Sequence, residues 1–212
     1  MAYKGDILLT IEEQLKPDHC ALLIVDMQND FCHKDGFFGL QGADLSLVEE
    51  MRPKLLRLMK AAEKVGVKKY FIQVFGDESY LKQPMIERKL RIGRSREVAQ
   101  KGTWGAQAFA NIVPSSDDVT ISKYAFSSFI DTPLEKLLRE SKVRTIIVTG
   151  IMTECCVGAT ARHGFMLGFY TIVPEDCVAS YDKEAHNATI SNIDKFFGRV
   201  VSSDEILTSW LK

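Results

Sequence analysis

The sequence predicts an α/β fold in three layers, a parallel sheet with helices on both of its faces. Two observations carry that expectation. Apolar, β-branched runs such as RTIIVTG (144–150) show no in–out alternation, as strands covered on both faces do. Each such run alternates along the chain with a stretch whose apolar residues recur at helical spacing. Right-handed crossovers then bring the C-terminal ends of the strands to one edge, where ligands of such sheets bind.

Taken in order, residues 1–19 are polar and mixed and are expected to wrap the surface. CALLIVD (20–26) is the first strand and ends on a carboxylate, Asp26. A turn-rich loop follows, punctuated by Gly36, Gly39 and Gly42 and aromatic at Phe31, Phe37 and Phe38. Leu47, Val48, Met51, Leu55, Leu58, Met59, Ala62 and Val65 predict a helix over 46–65, with Pro53 marking a late start or a kink and Gly66 ending it. VKKYFIQVF (67–75) is the second strand. Residues 76–118 show the least regular pattern; their basic run ERKLRIGRSR suits a solvated loop or helix face. GTWGAQ (102–107) brackets Trp104 with glycines, as a ring aimed at a ligand or packed against the protein would be. VTISK (119–123) is a short strand ending on Lys123, and TPLEKLLRESK a helix capped by Thr132. After RTIIVTG, Val157, Ala161, Phe165 and Met166 share one helical face. FYTIVPEDC reads as a strand, DKEAHNATISNIDKFF as a helix from Asp182, and RVVSSDEILTSWL as a strand, a Ser203 cap and a terminal helix. With no repeat, low-complexity segment or linker, residues 1–212 read as one domain.

A chain of 212 residues that is 46% hydrophobic can bury a substantial core. Its net charge of -1 carries no nucleic-acid or membrane signature. MAYKGDILLT has no secretory pattern, and no apolar stretch is long enough to span a bilayer. Five cysteines, at 20, 32, 155, 156 and 177, read as reduced thiols of a cytoplasmic protein rather than a disulfide frame.

Three reactive side chains fall at the predicted edge. Asp26 ends the first strand, Lys123 ends the third, and Cys156 follows the fourth by one short turn. A cysteine in the first turn of a helix meets unpaired N–H groups and the positive end of the helix dipole, and a nearby ammonium adds to the stabilisation of a thiolate. An aspartate beside it can relay the proton. Each residue also has a plainer role: a packed cysteine, a solvated lysine, an aspartate capping a turn. Their coincidence at one edge is what points to chemistry.

ALLIVDMQNDF, ISKYAFSSF and VTGIMTECCVGATARHGF, in that order, resemble the three signature blocks of the isochorismatase-like cysteine hydrolases. The resemblance runs from about residue 20 to the C-terminus. It implies a Rossmann-like parallel sheet and a triad of Asp26, Lys123 and Cys156, with no nucleophile at Cys155. It also implies a non-proline cis peptide between Ile151 and Met152, which would turn the N–H of Met152 toward that of Cys156 to form an oxyanion hole. The expected reaction is addition of Cys156 to a carbonyl, loss of an amine or ammonia, and hydrolysis of the thioester.

Within that family, nicotinamidases carry an Asp-x-His and a further histidine after the second strand to bind a metal. QVFGDESYLKQ has no histidine, so neither a metal nor another cofactor is expected. The later motifs look most like amidohydrolases of ureido and carbamoyl compounds, with His163 departing from the aspartate usual in those relatives. The expected partner is a small-molecule substrate, closed in by Phe31, Trp104 and Phe126. Its carboxylate, if it has one, would be met by one of Arg88, Arg91, Arg94 and Arg162. A homo-oligomer, dimer or tetramer, is implied by the resemblance alone. A nicotinamidase-type amidase, a thiol redox protein using Cys155 and Cys156, and a family member that binds without turnover are the alternatives.

Overall fold

The computed structural model describes residues 7–93 and 97–211. The chain enters through a capped turn of helix, α1 (Ile11–Gln14), and the first strand, β1 (Cys20–Val25). Two single helical turns, α2 (Asn29–Cys32) and α3 (Phe37–Leu40), precede the long helix α4 (Ser46–Val65). Strand β2 (Lys68–Val74), helix α5 (Gln83–Arg91), strand β3 (Val119–Lys123) and helix α6 (Leu134–Glu140) follow. Then come β4 (Thr145–Ile151), a π-helical turn at Thr153–Val157, and α7 (Gly158–Met166). The chain closes with β5 (Tyr170–Pro174), β6 (Val178–Ala179), α8 (Lys183–Phe196), β7 (Arg199–Val201) and α9 (Ser203–Trp210).

All strand pairings between these elements are parallel, in the order β3-β2-β1-β4-β5-β7, with β6 added alongside the end of β4. The central strands are buried on both sides, as their unbroken apolar runs require. In β1, Leu22 and Ile24 face a core completed by α4 and α9, through residues such as Leu55, Leu58 and Trp210. Ala21, Leu23 and Val25 point the other way, onto Leu134 and Leu138 of α6, Val157 and Ala161 beside and within α7, and Ile193 of α8. Period-2 side-chain geometry thus sends one strand into two cores. Each fully buried leucine or isoleucine contributes roughly 1.5–3 kcal/mol, set against the entropy of ordering it.

Several boundaries differ from the sequence expectations. Helix α4 runs through Pro53 from Ser46, held by a buried stripe from Val48 to Ala62, and Gly66 in the left-handed region (φ 77°) ends it. FYTIVPEDC is not one strand: the chain leaves β5 at Pro174, turns through Glu175–Cys177 and rejoins the sheet as β6, beside β4. The final helix is capped by Ser202, not Ser203, because Glu205 closes a capping box onto Ser202. Thr132 accepts from the N–H of Leu134 at 3.3 Å, but α6 begins after Pro133. The basic run is partly α5, none of whose residues is buried.

One glycine determines how close the two central strands come. Gly150 has φ 106°, and a Cβ there would lie 2.0 Å from the carbonyl oxygen of Val25. Only glycine lets β4 pass β1 at this point, immediately before Asp26 on one strand and the Ile151–Met152 turn on the other.

Candidate active site

Asp26 follows β1 with its backbone in the left-handed region (φ 54°), and its N–H donates to the Ile72 carbonyl at 2.9 Å. Lys123 ends β3, one strand further away, because β2 lies between β3 and β1. At ordinary inter-strand spacing the separation is about 10 Å, within reach of a lysine and an aspartate extended toward each other. Their contact is 2.9 Å between Lys123 Nζ and Asp26 Oδ2, with the two residues 0% and 1% exposed. The ammonium spends its remaining donors on the carbonyls of Ala125 and Phe126, at 3.0 and 3.1 Å. The other carboxylate oxygen, Asp26 Oδ1, is buried with no hydrogen-bond partner.

Cys156 lies in the π-helical turn that leaves β4, after a cis peptide between Ile151 and Met152. Its thiol is 8% exposed and close enough to feel the charges of both Asp26 and Lys123. Hydrogen bonding with the adjacent Cys155 thiol, then burial and the Asp26 charge, hold Cys156 well above the usual thiol range; Lys123 works in the opposite direction. The thiolate expected from a helix N-terminus is therefore not the resting state. Cys156 rests as a neutral thiol, against the Asp26 carboxylate that can accept its proton. Burial, partly offset by Lys123, raises Asp26 and so strengthens it as a base. Burial also pulls Lys123 down, but the Asp26 charge and hydrogen bonding with Asp26 and Cys156 act the other way, and on balance the lysine is raised and stays an ammonium. Cys155, half-buried, is brought down first by its hydrogen bond with Cys156, with the charges of Lys123 and Arg88 assisting.

These side chains open into a cavity of about 540 Å³. Phe31 and Phe126 line it, together with Phe38, Phe75, Tyr124, Met85 and Leu81. Trp104 does not. Its ring stands edge-on to His33 at 5.0 Å, 46% exposed, while its carbonyl accepts from Asn29 Nδ2. The flanking glycine explains the loop: a Cβ on Gly105 would lie 2.3 Å from the Asp30 carboxylate, so the GTWGAQ segment is shaped by packing.

Sequence reasoning missed the polar residues that hold this loop. Gln28 donates to the carbonyls of Val74 and Ala106 and accepts from the N–H of Val74. Buried Asp30 accepts from the N–H groups of Phe37 and Ala99. The signal was an unbroken polar trio, Gln28, Asn29 and Asp30, after a strand buried on both faces.

The candidate arginines separate clearly. Arg88 and Arg162 line the cavity. Arg162 binds Asn192 Oδ1, at 2.9 Å through Nη2, and lies over Phe197. Arg91 is paired with Glu87 at 2.8 Å, outside the cavity, and Arg94 lies outside the described residues. His163 also stays outside, with Nδ1 2.9 Å from Ser127 Oγ and its ring against Phe129. Among the described residues no three His, Cys, Asp or Glu side chains gather as metal ligands would, and no helix is long and apolar enough to cross a membrane.

The isochorismatase domain model matches residues 20–205, which includes every residue of this site. The chain belongs to the isochorismatase family. Among its relatives in that family, the ureidoacrylate amidohydrolase RutB of Enterobacter sp. (strain 638) is 34% identical over 197 residues, 87% of this chain and 86% of the relative. Solved structures of isochorismatase-like proteins superpose closely. A cysteine hydrolase from Pseudomonas syringae pv. phaseolicola 1448A has a TM-score of 0.79 at 24% identity, over 92% of this chain and 93% of its own. N-carbamoylsarcosine amidase from Thermoplasma acidophilum has a TM-score of 0.69 at 25% identity, over 87% and 96%.

The accessibility of the five thiols gives a direct check on the site. Cys20 and Cys177 are buried and pushed up to about 12, and Cys32 is raised by burial further still. Brief iodoacetamide treatment of the native protein at neutral pH should therefore modify only Cys155 and Cys156, the two thiols that line the cavity. Peptide mass mapping reads this out; early label at Cys20, Cys32 or Cys177 would contradict the burial described here.

Proposed function

We propose that the protein is a cysteine amidohydrolase that cleaves a C–N bond of a small, planar ureido or carbamoyl compound. One observation carries the reading: the carboxylate of a buried Asp26–Lys123 pair stands against the Cys156 thiol at the wall of an aromatic-lined cavity. Asp26 takes the thiol proton as sulfur attacks the carbonyl carbon, and the Lys123 ammonium keeps the now shared negative charge tolerable. The N–H groups of Met152 and Cys156 hold the oxyanion. When the tetrahedral intermediate collapses, the proton on Asp26 leaves with the amine or ammonia. Water then attacks the thioester, giving its proton to Asp26, and collapse returns that proton to the sulfur and frees the acid. No redox partner is needed, and atoms balance as one water consumed per bond cleaved.

The names of two relatives, an amidohydrolase of ureidoacrylate and an amidase of N-carbamoylsarcosine, support the ureido and carbamoyl class. A nicotinamidase from Bacillus subtilis shares the fold at 22% identity, so a planar carboxamide is the competitor to test. The test is release of ammonia, in buffer containing a chelator, from ureidoacrylate, N-carbamoylsarcosine, biuret and nicotinamide. The expected result is a specificity constant for at least one ureido compound well above that for nicotinamide. The reverse ranking would leave a cysteine hydrolase of a different substrate class.

A further inference from the structure

Helix α5 carries four cations on or next to it, and three of them are matched. Lys82 is paired with Asp131 at 2.8 Å, Arg91 with Glu87, and Lys89 with Glu78 and, at 4.0 Å, Glu97. Arg88 is different. Among the described residues its guanidinium makes no salt bridge; it lies 5.8 Å from the centre of the Phe126 ring, and both residues line the cavity that holds Cys156. The other cavity arginine, Arg162, already spends donors on Asn192. Phe126 links Arg88 to the Asp26–Lys123 pair, since its carbonyl accepts from the Lys123 ammonium at 3.1 Å while its ring lies beside Arg88. A guanidinium in cation–π contact with a ring and without a carboxylate partner keeps its planar edge of N–H donors available, and that edge matches a carboxylate.

We infer that Arg88 is the residue that selects substrates bearing a carboxylate, gripping it at one wall of the cavity while the ureido or carbamoyl carbonyl meets Cys156 at the other. This rests on the hydrolase reading above and names the substrate feature it would choose.

The experiment compares N-carbamoylglycine with its methyl ester, as substrates of the wild-type protein and of Arg88→Ala, Arg88→Lys and Arg91→Ala. Wild type should prefer the acid, and Arg88→Ala should reduce the acid-to-ester ratio of kcat/KM by about tenfold or more, mainly through KM, as loss of a charge-assisted pair does. Arg88→Lys should recover part of the ratio, and Arg91→Ala should leave it unchanged. If the acid and ester respond alike to Arg88→Ala while wild type turns both over, the assignment of Arg88 is overturned and the hydrolase reading stands. If wild type hydrolyses neither compound nor any member of the ureido panel, the hydrolase reading fails and the role of Arg88 falls with it.

Discussion

Cys156→Ala is expected to yield a folded protein whose ammonia release from its best ureido substrate is slower by about a thousandfold or more. The size follows from the arrangement of the site. Asp26 and Lys123 can position a proton and a charge, but neither offers a nucleophile, and of the two thiols that line the cavity, Cys155 and Cys156, it is Cys156 that hydrogen-bonds Asp26. The thiol is small and lies at a cavity wall, so alanine fills its place without disturbing β4 or α7. Circular dichroism and thermal melting should match the parent. Cys155→Ser is the informative partner variant and should retain most activity. Should Cys155→Ser be the dead variant and Cys156→Ala the live one, the nucleophile would be the neighbour and the geometry at Asp26 would need another purpose.

The second large effect is on stability. Lys123→Ala should destabilise the fold by about 3–5 kcal/mol, because it leaves the Asp26 carboxylate buried without its counter-charge. The double replacement Asp26→Asn with Lys123→Met should cost less than Lys123→Ala alone, since it removes both charges and keeps the volume. Urea unfolding monitored by tryptophan fluorescence gives the comparison. A loss below about 1 kcal/mol for Lys123→Ala would be the value of an exposed pair and would mean that water reaches the site. Both variants should be inactive.

Much of this was readable before any coordinates. The central strands announced themselves because they are buried on both faces and so lack alternation, and the alternation of strand and helix led to the common edge. Asp26, Lys123 and Cys156 were legible because each ends or follows a strand, and strand ends are the one place where sequence position translates into spatial position. What sequence could not supply was burial. Cys156 looked like a helix-start thiolate, but its ionisation is decided by its neighbours and its enclosure, and these belong to the folded state. Trp104 looked like a cavity wall for a similar reason: two glycines beside an aromatic ring signal close approach without saying to what, and the answer was Asp30. The arginines could not be ranked because their partners, Glu87 for Arg91 and Asn192 for Arg162, emerge only when the helices are in place.

The span of Lys123 across β2 has a consequence for how the molecule matures. Cys156 and Asp26 come from β4 and β1, which are neighbours and pair along six positions. Their strand ends are set side by side by that one pairing. Lys123 arrives from two strands away, and its ammonium reaches Asp26 only after β2 has paired with β1 and β3 with β2. A chain in which the outer half of the sheet is still unformed would thus hold its sulfur and its carboxylate together without the cation. The counter-charge of Asp26 thus depends on two further strand pairings, and fraying of the β3 edge would carry Lys123 away from the carboxylate.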